Sequence, residues 1–72
     1  MNVMLTPNHR QAKRDLSVVE WFDVVDARTN ELLPWTVSRN GDDVAVNGPQ
    51  GFVRVVGTLE AAVGVIREQP AA

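Results

Sequence analysis

Valine-rich runs of apolar residues fill the middle of the chain, and turn residues separate them. One run covers residues 18–25, and a second covers residues 32–39 after a polar loop at residues 26–31. Short runs bounded by such loops are typical of antiparallel strands. In the loop, Asn30 is expected to adopt the left-handed conformation that asparagine tolerates. Pro34 cannot donate a backbone hydrogen bond, so it predicts an unpaired edge or a bulge in the second strand.

Two further turns predict how the strands pair. Asn40-Gly41 favours a two-residue type I′ hairpin, which places Arg39 opposite Asp42 and Val37 opposite Val44. The turn at residues 48–51 contains Pro49 and predicts a third strand, with Val46 opposite Val53. Both turns give the same apolar face, which consists of Leu33, Trp35, Val37, Val44, Val46, Val53 and Val55. Phe52, Arg54 and Val56 are then expected on the opposite face, with Thr36 and Ser38.

The segment after Gly57 has the pattern of an amphipathic helix that covers the sheet. Thr58 is a suitable N-cap, and Glu60 and Arg67 suit the dipole at the first and last turns. Pro70 is expected to end the helix. The apolar positions follow helical spacing and are Leu59, Ala62, Val63 and Ile66.

The N-terminal residues differ from the rest in charge and pattern. Residues 1–16 are predicted to form a basic arm or a short helix that begins at Thr6-Pro7. Residues 17–68 are predicted to form the folded unit, and residues 69–72 a tail. The fold class is therefore expected to be α+β: a small antiparallel β-meander of three to four strands packed by a C-terminal α-helix.

Length and composition restrict the class of protein. A chain of 72 residues without cysteine holds one small core and has no disulfide to support it, so a partner protein or a homodimer is an expected supplement. No apolar run approaches the roughly 20 residues needed to span a bilayer, and no secretory signal pattern follows Met1. We therefore expect a cytoplasmic protein with no membrane contact.

Charge is divided unevenly along the chain. Arg10, Lys13 and Arg14 are the charged residues of positions 1–14, whereas the remainder has nine acidic residues against four arginines. An acidic body repels polyphosphate, which makes a protein partner a better expectation than nucleic acid.

The reactive residue types do not assemble into a catalytic motif. His9 is the only histidine, no cysteine is present, and the glycines lack phosphate-loop spacing. Ser17 and Ser38 have no evident base. Glu20 and Asp26 are predicted to share one strand face while Asp23 lies on the other, so these carboxylates do not converge. The sequence predicts no enzyme activity, no cofactor and no metal.

The aromatic residues are the candidates for partner contact. Trp35 is expected in the core, whereas the adjacent Trp21 and Phe22 must point to opposite faces of a strand, so one of them is covered by the arm or exposed. An exposed aromatic residue on a small domain is a typical binding hot spot. The predicted protein-binding residues are Trp21, Phe22, Thr36, Phe52 and Arg54.

A sheet followed by one helix, with Trp35-Thr36-Val37 on a strand and Gly57-Thr58-Leu59-Glu60-Ala61-Ala62 leading into the helix, resembles two families of DNA-binding module. These are the arm-site-binding domains of tyrosine integrases and the GCC-box-binding domains of plant transcription factors. The resemblance covers roughly residues 33–68 and implies that the open sheet face, with Arg39 and Arg54, contacts DNA. In general character the chain is also similar to small accessory proteins of phages and mobile elements.

Three hypotheses about function follow. The first is a protein-binding regulator or inhibitor that occupies a surface of a host protein. The second is a DNA-binding or recombination accessory module whose phosphate contacts come from Arg10, Lys13, Arg14, Arg39 and Arg54. The third is a structural subunit that oligomerises through an edge strand.

Overall fold

The computed structural model describes residues 2–14 and 20–69, with the side chains of Ala12 and Arg14 left out. In chain order the described elements are β1 (Val3–Pro7), α1 (His9–Arg14), β2 (Glu20–Asp26), β3 (Leu32–Asn40), β4 (Asp43–Asn47), a short 3-10 turn (Pro49–Gly51), β5 (Val53–Val56) and α2 (Leu59–Glu68). The α+β meander with a C-terminal helix is confirmed, with five strands in place of the predicted three to four.

The five strands form one antiparallel sheet in the order β1-β2-β3-β4-β5, and α2 packs on one face of it. We call this the inner face and the other the outer face. Helix α2 contacts β4 and β5 at one side of the sheet and β1 at the other. Because β1 and β5 are the two edge strands of the described sheet, the helix contacts both edges of it.

The core lies between the inner face and α2. It is built from valines on three neighbouring strands, together with Ala62 and Ile66 from the helix, and the aromatic residues Phe22 and Trp35 belong to it. Val24, Val37 and Val46 have no exposed surface. The expectation that Trp35 is a core residue is confirmed, since its side chain is 8% exposed.

Strand β1 lies within the segment that we expected to be an arm or a short helix. Val3 and Leu5 pack against the core, and the strand pairs with β2 so that Leu5 faces Val24. The alternation of Val3 and Leu5 with Met4 and Thr6 is the sequence signal for it. Pro7 ends the strand, and an edge strand tolerates the missing donor.

Helix α1 follows β1 and begins later than predicted. Asn8, and not Thr6, is the N-cap, because its Oδ1 accepts a hydrogen bond of 3.0 Å from the Gln11 amide. The Asn8 side chain also donates to Asp23 of β2 at 3.2 Å. Thr6 is instead paired with Asp23 in the sheet. Three residues of the predicted arm, Met1, Asp15 and Leu16, lie outside the described residues. So do Ser17 of the predicted folded unit and Val18 and Val19 of the predicted first strand.

The β3–β4 hairpin has a different register from the predicted one. Arg39 faces Val44, and Asn40 faces Asp43, so the loop consists of Gly41 and Asp42. The φ angle is positive at Gly41 but not at Asp42, as in turns that need glycine only at their first central position. The register differs by two residues, a step that leaves every side chain on its predicted face. The predicted Arg39–Asp42 pair is wrong, and Arg39 forms an ion pair with Glu20.

The β4–β5 register differs from the prediction by one residue, and this step exchanges the faces of β5. Val46 faces Arg54, and Val44 faces Val56. The cause is the longer connection, in which the Gly48 amide bonds to the Phe52 carbonyl and the 3-10 turn occupies the three positions between them. Gln50 and Gly51 adopt positive φ angles of 58° and 77° there.

The predicted placement of Phe52, Arg54 and Val56 on the face opposite the helix is therefore wrong, because all three lie on the inner face. Val53 and Val55, which were predicted in the core, lie on the outer face instead.

The remaining local predictions are confirmed. Asn30 has a φ of 61°. The β2–β3 register shifts between Asp23 and Val25, which face Thr36 and Leu32, so Pro34 lies at the centre of the bulge. In α2, the Thr58 hydroxyl accepts a 3.0 Å hydrogen bond from the Ala61 amide, and Glu60 and Arg67 occupy the first and last turns. Pro70 and the rest of the predicted tail beyond Gln69 lie outside the described residues.

Candidate protein-binding surface

The outer face of β5 is the most exposed apolar part of the sheet near an open edge. Val53 is 64% exposed and Val55 is 62% exposed. They stand beside Asn47 and Ala45 of β4, both half-buried. On the outer face of β3, β4 and β5, the only charged residue is Asp43, at the hairpin end. A surface of this composition suits contact with another protein better than contact with phosphates.

A second group of exposed apolar residues lies on the outer face at the opposite side of the sheet. Leu32 is 70% exposed and Met4 is 46% exposed, and both are paired with Val25. The row of paired residues that contains Val53 continues through Asn47, Thr36 and Asp23, which are all polar, and it does not include Leu32 or Met4. The two groups therefore form separate patches.

Trp21 and Phe22 lie on opposite faces, as predicted. Phe22 is 7% exposed and belongs to the core, opposite Val37. Trp21 is half-buried on the outer face, where it pairs with Ser38, which is 8% exposed. Its indole Nε1 is buried and has no hydrogen-bond partner within the described part of the chain. Trp21 is therefore partly exposed, whereas Phe22 is a core residue.

Trp35 and Phe52 meet at the end of the inner face. Their ring centroids are 5.2 Å apart with an interplanar angle of 66°, an edge-to-face arrangement. Gly48 lies between them in the sheet, and the Trp35 ring passes over it, since a Cβ there would stand only 2.5 Å from the ring. The two rings border a cleft of about 460 Å³, with further walls from Pro34, Pro49, Gln50, Gly51 and Gln69.

The predicted cations do not come together on one surface. Arg39 lies on the inner face in its ion pair with Glu20. Arg54 is exposed on the inner side of β5. Arg10 and Lys13 are exposed on α1, which is tied to the outer-face residue Asp23 through Asn8. Arg14 is the last residue of α1, and its side chain is not described.

The chemistry available within the described residues is limited. His9 is exposed at the start of α1, and no group of three or more histidine, cysteine, aspartate or glutamate side chains is placed to hold a metal ion in the described ranges. Ser38 is paired with Trp21 and Ala45, neither of which can act as a base. No helix in the described part is long and apolar enough to cross a membrane.

Comparisons of the chain with protein-family models, with curated proteins and with solved structures found no match. The resemblances to DNA-binding modules and to phage accessory proteins therefore stay predictions.

Val53 and Val55 are the surface residues that sequence reasoning missed. The sequence shows that Val53 and Val55 share one face of β5 and that Arg54 lies on the other. Which of the two faces is directed toward the core depends on the length of the loop between β4 and β5. Gln50 adopts a positive φ in this loop, although glutamine has no preference for that conformation. The sequence therefore contains no signal for the longer loop.

Proposed function

We propose that this chain is a non-catalytic protein-binding domain that regulates or inhibits a host protein by occupying one of its surfaces. The observation that carries the proposal is the exposure of Val53 and Val55 on the outer face of an edge strand. Edge strands are usually protected by charge, proline or cover, because an open edge invites another strand. On β5 the one charged residue, Arg54, lies on the inner face, and the outer face carries only valine, which favours a surface kept open for a partner.

The test compares variants of the immobilised domain in a pull-down from lysate of the native host. Val55→Lys places a charge in the apolar patch and is expected to abolish capture of the partner. Leu32→Lys is the matched control, because Leu32 is equally exposed on the same face but in the other patch. Both variants should keep the circular dichroism spectrum of the unmodified chain.

The proposal predicts one protein that the unmodified domain and Leu32→Lys retain and that Val55→Lys loses. Equal capture by all three would show that the β5 surface is not the contact. Equal loss in both variants would indicate nonspecific apolar adsorption and would also contradict the proposal.

A second candidate function is a DNA-binding accessory module, which the exposed Arg10 and Lys13 of α1 favour. The open sheet face supports it less, because Arg39 and Arg54 lie on the inner side. Binding through α1 should weaken steeply with salt, and Arg10→Glu with Lys13→Glu should flatten that dependence. Absence of a gel shift at low salt would reject this candidate.

A further inference from the structure

The edge of β5 that pairs with no other described strand presents two residues whose backbone groups point away from the sheet. The Gly48 amide bonds to the Phe52 carbonyl at 2.9 Å, so this opposed pair is a hydrogen-bonded one. Hydrogen-bonded and non-hydrogen-bonded pairs alternate along an antiparallel ladder. Val53 and Val55, which face Asn47 and Ala45, are therefore the non-hydrogen-bonded positions against β4. Their amide and carbonyl groups face outward, and β5 is the last strand of the described sheet.

An added antiparallel strand would reverse these roles. Its residues opposite Val53 and Val55 would form the hydrogen-bonded pairs, and its residue opposite Arg54 would occupy the non-hydrogen-bonded position. Cα atoms approach to about 4.5 Å at such positions, which brings the side chains closest together. The side chain of the added strand that lies opposite Arg54 therefore has the strongest influence on which strands bind to β5.

Arg54 is available for this pairing. Its side chain is exposed, and the only ion pair of the described residues joins Arg39 to Glu20. On β4 the residue opposite Arg54 is Val46, which offers no counter-charge. An acidic residue on an incoming strand would supply it.

We propose that the partner docks an extended segment antiparallel to β5, with an acidic residue opposite Arg54 and an apolar residue on each side of it. The apolar neighbours lie on the outer face against Val53 and Val55. This inference rests on the proposed function and names the chemistry of the partner. Backbone hydrogen bonds to the edge give affinity in such strand addition, and the alternate side chains give specificity.

A second copy of the chain fits this edge poorly. A two-fold pairing centred on Arg54 sets two like charges opposite each other, and a pairing centred on Val55 leaves each Arg54 opposite Val56 with no counter-charge. The charge on β5 therefore selects a foreign, acidic strand.

The test uses blocked synthetic pentapeptides as probes in an amide NMR titration of the whole chain at millimolar peptide. Acetyl-Thr-Val-Glu-Val-Thr-amide carries the predicted pattern, and acetyl-Thr-Val-Lys-Val-Thr-amide reverses its charge. The glutamate peptide is expected to shift the Val53 and Val55 amide signals and to bind about five- to tenfold more tightly than the lysine peptide. In the Arg54→Glu variant the preference should reverse, which a purely structural role for Arg54 would not produce.

The outcomes separate the two proposals. Equal binding of both peptides at β5 would keep strand addition and overturn the acidic specificity. No binding of either peptide, or shifts remote from β5, would overturn the docking inference. The pull-down with Val55→Lys still decides the proposed function in every case, because it does not depend on the peptide pattern.

Discussion

Replacing Gly48 by alanine tests the packing of Trp35 across the sheet. The backbone at Gly48 is extended, with φ −124° and ψ −175°, so alanine meets no conformational barrier there. An added Cβ, however, would lie 2.5, 2.7 and 2.9 Å from three carbons of the Trp35 ring. These distances are too short for carbon atoms, so either the ring or the strand must move.

The Trp35 ring cannot withdraw without loss, because it is 8% exposed and its edge-to-face contact with Phe52 depends on its position. Overpacking of this kind costs about 1–3 kcal/mol. Replacing glycine also restricts the unfolded chain, which offsets about 0.4–1 kcal/mol. We expect Gly48→Ala to lower the free energy of unfolding by about 1–2 kcal/mol, which at about 4–8 °C per kcal/mol is readily measured as a lower Tm.

Urea unfolding followed by circular dichroism gives the magnitude, and two further variants make it specific. Gly57→Ala is the control, since a Cβ at Gly57 meets no atom within 4 Å. In a Trp35→Leu background, Gly48→Ala should cost little, because the clashing ring atoms are gone. If Gly48→Ala were neutral in the unmodified chain, or equally costly in both backgrounds, the ring clash would not be the cause.

Three further stability changes are expected, each measurable by the same urea unfolding. Thr58→Ala removes the hydroxyl that caps the Ala61 amide and should cost about 1 kcal/mol, with Thr58→Ser close to the unmodified chain; equal loss in both would refute the capping role. Gly64→Ala should stabilise by up to about 1 kcal/mol, since its Cβ meets no atom within 4 Å, and a destabilised variant would contradict the helix packing. Asn30→Ala should cost about 1–2 kcal/mol because φ is 61°, whereas Asn30→Gly should not; a neutral alanine would mean that the loop relaxes.

The features that could be predicted from sequence are those decided by a few neighbouring residues. Thr58 caps α2 because its hydroxyl lies three residues before the amide it satisfies, and Asn30 takes a left-handed position in a short loop. Pro34 predicted the bulge because a missing donor disrupts the ladder at that residue. None of these depends on contacts between distant parts of the chain.

The errors arose where loop length decides which residues of two neighbouring strands lie opposite each other. Asn40-Gly41 is a strong hairpin signal, yet the loop is formed by Gly41 and Asp42, and a two-residue step left the predicted core intact. After β4, one additional loop residue was enough to turn Val53 and Val55 outward and Phe52 inward. Because of that single residue, the sequence prediction placed Val53 and Val55 in the core and not on the candidate contact surface.

Strand β1 was missed for a different reason, because its alternating pattern is only five residues long. Of its five residues only Val3 and Leu5 pack against the core, and both are partly buried. Such an edge strand is stabilised by tertiary contacts, so local propensity is a weak guide to it.

The contact of α2 with β1 has a consequence for the order in which the fold forms. The hairpins of β2 to β5 join neighbours in sequence and require only short loops to close, whereas the contact of β1 with α2 links segments more than 50 positions apart. We expect the β2–β5 meander to be formed in the folding transition state, and β1 to pack against α2 afterwards. Substitutions at Leu5 or Leu59 should then hasten unfolding while leaving the refolding rate almost unchanged.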